Sequence, residues 1–172
     1  PAAGDFDNDG DLDLYFTTVY ETASFNQPNH PVLFRNDGDF QFVDTTAAAK
    51  LASLPATYQA AWSDFDRDGD LDLATAGRVF QNQGNPHHWL GVRLVGDGRR
   101  VNRSAVGAIV EVELADRKLT RQVEAGTGQG NQNDLTLHFG LGSQARPISV
   151  DVVWPGGERQ SFTMVPVDGI RS

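Results

Sequence analysis

Two nine-residue stretches hold most of the chemistry that this sequence could perform. Asp5, Asp7, Asp9, Asp11 and Asp13 alternate in the first, and Asp64, Asp66, Asp68, Asp70 and Asp72 alternate in the second. Each reads Asp-x-Asp-x-Asp-Gly-Asp-x-Asp. At about 5 Å separation and an effective dielectric near 20, each like-charged pair costs roughly 3 kcal/mol. Closing such a loop without a cation is unfavourable, and a divalent ion reverses the sign of the interaction.

Calcium suits the pattern because it is hard, takes six to eight oxygens at flexible geometry, and accepts carboxylate, carbonyl and water together. Magnesium suits it less. The side-chain ligands expected are Asp5, Asp7, Asp9 and Asp13 in one loop and Asp64, Asp66, Asp68 and Asp72 in the other. Gly10 and Gly69 permit the sharp turn, and Asp11 and Asp70 supply main-chain oxygen. An EF-hand is excluded, because its twelfth position would need an acid where Phe16 and Thr75 stand. A β-hairpin setting is the better reading. The plainer alternative, an Asp-Gly turn amid solvated charge, does not account for a nearly identical second copy.

The copies, Gly4–Leu14 and Ser63–Leu73, are offset by 59 residues. Such self-similarity points to stacked β units, here propeller blades with long loops. Expected strands in the first unit are 12–18, 32–36 and 40–44, with Asp37-Gly38 as a hairpin turn. One or two helical turns follow over 47–54. The second unit brings strands at 60–62, 71–76 and 79–82. The first unit is expected to lack its opening strand and the second its closing strand. Gln83-Gly84-Asn85-Pro86 marks a boundary. Beyond it, six short strands at 89–95, 108–114, 120–124, 135–139, 149–154 and 160–165 suggest a small β-sandwich. The organisation expected is all-β: residues 1–86 as two incomplete propeller repeats, and 87–172 as the sandwich.

Charge follows the same division. The net charge of -9 resides in residues 1–86, with 14 acids against 4 bases, while 87–172 are nearly balanced at 9 against 10. Ten of those fourteen acids belong to the two loops, so the charge sits where a cation could sit, and nucleic acid is not an expected partner. The absence of cysteine excludes disulfides and thiolate chemistry. No apolar run reaches the length of a membrane-spanning helix, and membrane insertion is not expected.

The paired Asp-Phe-Asp-x-Asp-Gly-Asp-Leu-Asp-Leu loops, with Leu33-Phe34-Arg35-Asn36 and Phe40-Gln41-Phe42-Val43-Asp44 after the first, resemble the FG-GAP/VCBS repeats of integrin-like β-propellers. A second resemblance, to the ASPIC/UnbV domain, is carried by His88-Trp89-Leu90, Asn102-Arg103-Ser104-Ala105-Val106-Gly107-Ala108, His138-Phe139-Gly140-Leu141-Gly142 and Val153-Trp154-Pro155-Gly156-Gly157. Together they cover nearly the whole chain, and their order is similar to the carboxyl end of the cartilage acidic protein-like family. Asn131-Gln132-Asn133 departs from the serine-rich Ser-Gln-Ser-like stretch of that family. The resemblance implies a generally secreted protein. A propeller needs four to eight blades, so a carboxyl-terminal piece of a longer protein is expected, its edges paired with missing blades or by self-association.

Other candidate chemistry is weak. His87 and His88 point to opposite strand faces and cannot readily share a metal. His138 and His30 lack recognisable partners. Gly126-Thr127-Gly128-Gln129-Gly130 lacks the Lys-Ser/Thr ending of a phosphate cradle. Arg99, Arg100 and Arg103 read as a solvated turn, and no catalytic constellation is identified. The functional expectation is two calcium ions in a secreted, extracellular or periplasmic, non-enzymatic adhesion or ligand-binding module whose partner is a glycan or a protein. Export is favoured because extracellular calcium can saturate loops of modest affinity. The alternative is a piece of a larger calcium-dependent enzyme acting on a polysaccharide or small metabolite.

Overall fold

The computed structural model describes residues 1–22, 26 and 28–172. Among them there is no α-helix, and fourteen strands form four sheets, none of which closes on itself. The first Asp loop joins β1 (Ala2–Gly4) to β2 (Asp13–Phe16). With β3 (Val32–Asn36) and β4 (Phe42–Asp44) these make an antiparallel meander in the order β1-β2-β3-β4. The expectation that this unit lacks its opening strand is corrected, because Ala2–Gly4 pairs in register with Asp13–Tyr15. Three small residues carry no alternation from which a strand could be read.

The second Asp loop joins β5 (Ala60–Ser63) to β6 (Asp72–Thr75), and β7 (Arg78–Phe80) completes a three-stranded sheet without a fourth strand. Alternation aims Tyr15 and Leu33 from the first sheet, and Trp62 and Leu73 from the second, into one buried cluster that also holds Ala2, Ala60, Leu51 and Leu71. Phe6 stacks on Trp62 at 6.4 Å between ring centroids.

The helical turns expected over 47–54 are not a helix. Ala49 N–H donates to Thr45 O and Leu51 N–H to Thr46 O, both at 2.9 Å, and Lys50 then takes a left-handed φ of 61°. The hydroxyls before this turn are already committed to β3. Thr46 Oγ1 accepts from Leu33 N–H at 2.9 Å, and Thr45 Oγ1 donates to Leu33 O at 3.2 Å. The turn thus serves to bury Leu51 rather than to begin a helix.

After Pro86 come β8 (His88–Val92), β9 (Ile109–Glu113), β10 (Lys118–Gln122), β11 (Leu137–Gly142), β12 (Ile148–Val153), β13 (Arg159–Val165) and β14 (Gly169–Arg171). The sheets β10-β9-β12-β13 and β11-β8-β14 enclose a core of Val110, Val112, Val150 and Val152 from one side and Leu90, Val92, Phe139 and Leu141 from the other. Strand β14 was not expected; it runs parallel to β8 and is three residues long.

The two units meet through polar groups. The 127–134 loop of the sandwich lies along the inner strands of both blades. Asn133 Oδ1 accepts from Trp62 N–H at 3.0 Å and its Nδ2 donates to Ala3 O at 3.2 Å, while Asp134 N–H donates to Trp62 O at 3.1 Å. Asn131 Nδ2 donates to Ala60 O. The free edges of β1 and β5 are therefore occupied by amide groups. Asn133→Ala leaves two backbone groups unpaired and is expected to lower stability by about 2 kcal/mol in urea denaturation; a midpoint equal to wild type would remove this loop from the interface.

Candidate metal centre

Each loop is a tight connection in which backbone N–H groups are tied to carboxylates. Phe6 N–H donates to Asp13 Oδ2 at 2.9 Å, Gly10 N–H to Asp5 Oδ2 at 3.0 Å and Asp11 N–H to Asp9 Oδ1 at 2.8 Å. The second loop repeats the pattern, from Phe65 to Asp72 at 3.1 Å, Gly69 to Asp64 at 3.0 Å and Asp70 to Asp68 at 3.0 Å. The turn residues match as well, with left-handed φ of 59° and 98° at Asn8 and Gly10, and 65° and 97° at Arg67 and Gly69. Only glycine takes the larger of these angles without strain.

The geometry brings three carboxylates of each loop together. One oxygen from each of Asp5, Asp7 and Asp13 lies within 4.8 Å of the others, and the same holds for Asp64, Asp66 and Asp72. Asp9 and Asp68 fall outside these groups, because their carboxylates turn back to cap the following turn. Asp11 pairs with Arg117 at 3.1 Å. Asp70 accepts from the side-chain amides of Asn8 and Asn85.

Four neighbours escaped the sequence reading. Asn36 N–H donates to Asp13 Oδ1 and Asn82 N–H to Asp72 Oδ1, both at 2.8 Å. The Phe-x-Asn recurrence at Phe34-Arg35-Asn36 and Phe80-Gln81-Asn82 was the available signal. Its spacing differs from that of the loops because the first unit carries the longer β2–β3 connection. Gly140 and His138 come from β11, more than a hundred residues away, and no local pattern announces them. Gly140 N–H donates to Asp5 Oδ2 at 2.9 Å, and a Cβ there would collide with that carboxylate and with the Asn8 backbone.

Can the residues present hold a cation? Asp5 Oδ1 and Asp7 Oδ1 are buried and have no hydrogen-bond donor, and Asp5 and Asp13 are at most 1% exposed. Burial pushes the Asp5 carboxyl up to about 7 despite nearby Arg121, and the Asp13 carboxyl up to about 8 despite the Asn36 and Phe6 N–H groups. Burial and the adjacent Asp68 raise Asp70 to about 6. Asp7, Asp64 and Asp72 also shift upward, chiefly through burial. Oxygen-only, anionic and unsatisfied, this donor set fits a hard divalent cation.

The histidines have plain roles. His87 Nδ1 meets Asp7 O and His88 Nδ1 meets Asp168 Oδ2, each at 2.8 Å. His138, stacked on Trp89, places Nε2 at 2.6 Å from Asn8 Oδ1. Burial and then Arg121 push its pKa down to about 3, so it is neutral and donates through Nε2. Arg99, Arg100 and Val101 N–H groups all converge on Asp97 Oδ1, which fits the turn reading of that basic cluster.

The family model of the FG-GAP-like repeat matches residues 5–75, which takes in both Asp loops, and that of ASPIC and UnbV matches residues 98–170. The chain joins an FG-GAP-like repeat to an ASPIC/UnbV domain. It is also similar to cartilage acidic protein 1 of Mus musculus and of Homo sapiens, at 31% identity to each. These alignments cover 92% and 91% of this chain but 26% and 25% of those proteins. The Xenopus tropicalis protein of that name is 28% identical over 91% of the chain. The chain thus spans about a quarter of the length of these relatives. In these terms β11 of the ASPIC/UnbV domain supplies the Gly140 N–H that closes over the first FG-GAP loop.

The carboxyl shifts dictate how stability depends on pH when divalent ions are chelated. Asp5 and Asp13 bind protons in the folded state above their unfolded pKa near 3.9. Their contribution is complete below about pH 4 and is lost as pH rises through 7 and 8. His138, shifted downward, acts oppositely between about pH 3 and 6.5, so the unopposed window lies above 6.5. In EDTA, stability is expected to fall by on the order of 2 kcal/mol from pH 6.5 to 8, and saturating calcium to abolish the fall. Denaturant titrations at both pH values measure it; a chelated protein equally stable at both would contradict the burial of these charges.

Proposed function

We propose that this chain is a calcium-binding, non-enzymatic module of an extracellular protein, in which two calcium ions rigidify the repeat hairpins for adhesion or ligand binding. The observation that carries this reading is the pair of buried carboxylate oxygens, Asp5 Oδ1 and Asp7 Oδ1, that meet no donor beside the enclosed Asp13. Asp5, Asp7 and Asp13 hold one ion, and Asp64, Asp66 and Asp72 the other. Asp9 and Asp68, with the main-chain oxygens of Asp11 and Asp70, are the further donors available. The ion supplies the positive charge that lets these carboxylates stay ionised in the folded state.

In this proposal residues 1–86 form the repeat unit and 87–172 the sandwich. Two considerations support an extracellular setting. The similar proteins are named for cartilage, and extracellular calcium would saturate such loops. Among the described residues no helix is long and apolar enough to cross a membrane. A glycan or a protein is the proposed partner.

Calorimetric titration is expected to give two calcium ions per chain, with Asp5→Asn or Asp64→Asn each abolishing one. At free calcium 100-fold above the dissociation constant, each site adds about 2.7 kcal/mol. Identical Tm values in EDTA and in calcium would overturn the proposal.

A further inference from the structure

We infer that the two calcium sites are coupled, and that Asn8 and Asn82 are the residues that couple them. The inference deepens the calcium reading and rests on it. Its starting point is that Asn8 is not a ligand candidate, yet it is 1% exposed at the centre of the first loop. Its Nδ2 donates to Gly69 O and to Asp70 Oδ1, both at 3.0 Å, and so grips the turn of the second loop. Its Oδ1 accepts from His138 Nε2, and its main-chain oxygen accepts from Gly142 N–H at 2.8 Å. Loop 1, loop 2 and strand β11 therefore share one side-chain amide.

A second connection runs through the backbone of Phe6. The Phe6 N–H donates to Asp13 Oδ2 in the first site. The Phe6 carbonyl accepts from Asn82 Nδ2 at 2.7 Å, and Asn82 N–H donates to Asp72 Oδ1 in the second site. A ligand of one site is thus linked to a ligand of the other through two residues. The counterpart residues do not build such links. Asn36, which stands to Asp13 as Asn82 stands to Asp72, spends its Nδ2 locally on Leu12 O at 3.3 Å, and Arg67, which stands where Asn8 does, is exposed.

Coupling follows because a cation at either site restricts groups that the other site needs ordered. A cation on Asp5, Asp7 and Asp13 fixes the Asn8 turn and the Phe6 peptide, which hold Gly69, Asp70 and Asn82 in place. The second cation then meets a loop whose ordering cost is already met, and by linkage the effect is reciprocal.

Asp7→Asn and Asp66→Asn provide single-site proteins, verified as such by calorimetric stoichiometry. The site remaining in each is expected to bind calcium about ten-fold more weakly than it does in wild type with the other site filled, by the same factor in both directions. Adding Asn8→Gly, which keeps the left-handed turn without strain, together with Asn82→Ala should bring that factor close to one. As a check that needs no change at either asparagine, calcium bound to Asp66→Asn should slow amide hydrogen exchange at Gly69 and Asp70 relative to EDTA. Single-site affinities equal to those of wild type, or unchanged exchange at Gly69 and Asp70, would overturn the coupling while leaving calcium binding intact. Absence of calcium binding to wild type would overturn the underlying reading instead.

Discussion

The enclosure of Asp5 and Asp13 is the constraint around which this molecule is arranged. Two carboxylates at most 1% exposed sit beside a third, and the protein offers them neutral N–H donors, the guanidinium of Arg121 at some remove, and Arg35 Nε at 3.9 Å from Asp7 Oδ2. The upward displacement of both carboxyls says that these groups do not balance the loss of water. Either protons or a cation must complete the site. Protons neutralise the carboxylates singly, whereas a cation would bind several at once and so tie the parts of the loop to one another.

That constraint shapes the junction between the repeat and the ASPIC/UnbV domain. Gly140 and Gly142 of β11 approach so closely that their N–H groups bond to Asp5 and to the Asn8 backbone, and the β8–β11 register shifts at this point. Arg117 and Arg121 bring their charge to Asp11 and to the carbonyls of Asp9 and Gly10. An apolar junction would tolerate sliding. One made of directional bonds to a rigid loop admits a single orientation, and its stability is linked to whatever neutralises that loop.

Much of this was legible in the sequence because it is local. The alternation in Asp5–Asp13 and in Asp64–Asp72 fixes the hairpin loops, the all-β reading follows from short runs between turn residues, and β3 falls on the residues expected of it, Val32–Asn36. Strands β1 and β14 were missed because three residues carry no period, and their existence depends on partners elsewhere in the chain. The turn at 46–51 was mistaken for helix because Ala47, Ala48 and Ala49 favour it by propensity, while the competing bonds from Thr45 and Thr46 to β3 are tertiary. His138 had no visible partner because Asn8 lies 130 residues away. Asp9 and Asp68 were placed among the carboxylates that converge, yet both turn to the backbone two residues on, a choice that Asp makes readily in tight turns.

The residues between the aspartates explain why two copies of one motif lie in different surroundings. In the first loop Phe6 stacks on Trp62 and Asn8 is buried, while Leu12 is 38% exposed. In the second, Phe65 is 55% exposed and Arg67 faces solvent, while Leu71 is buried in the core between the blades. The aspartates and the glycine set a nearly constant loop, and the intervening side chains set what can pack beside it. Asn8 meets a polar junction that needs both a donor and an acceptor, a requirement arginine cannot meet because it offers donors only. Arg67 lies between Asp66 and Asp68 in sequence and is exposed at an open surface. The Asn-to-Arg difference between otherwise matching loops thus marks which of them is built into the interface.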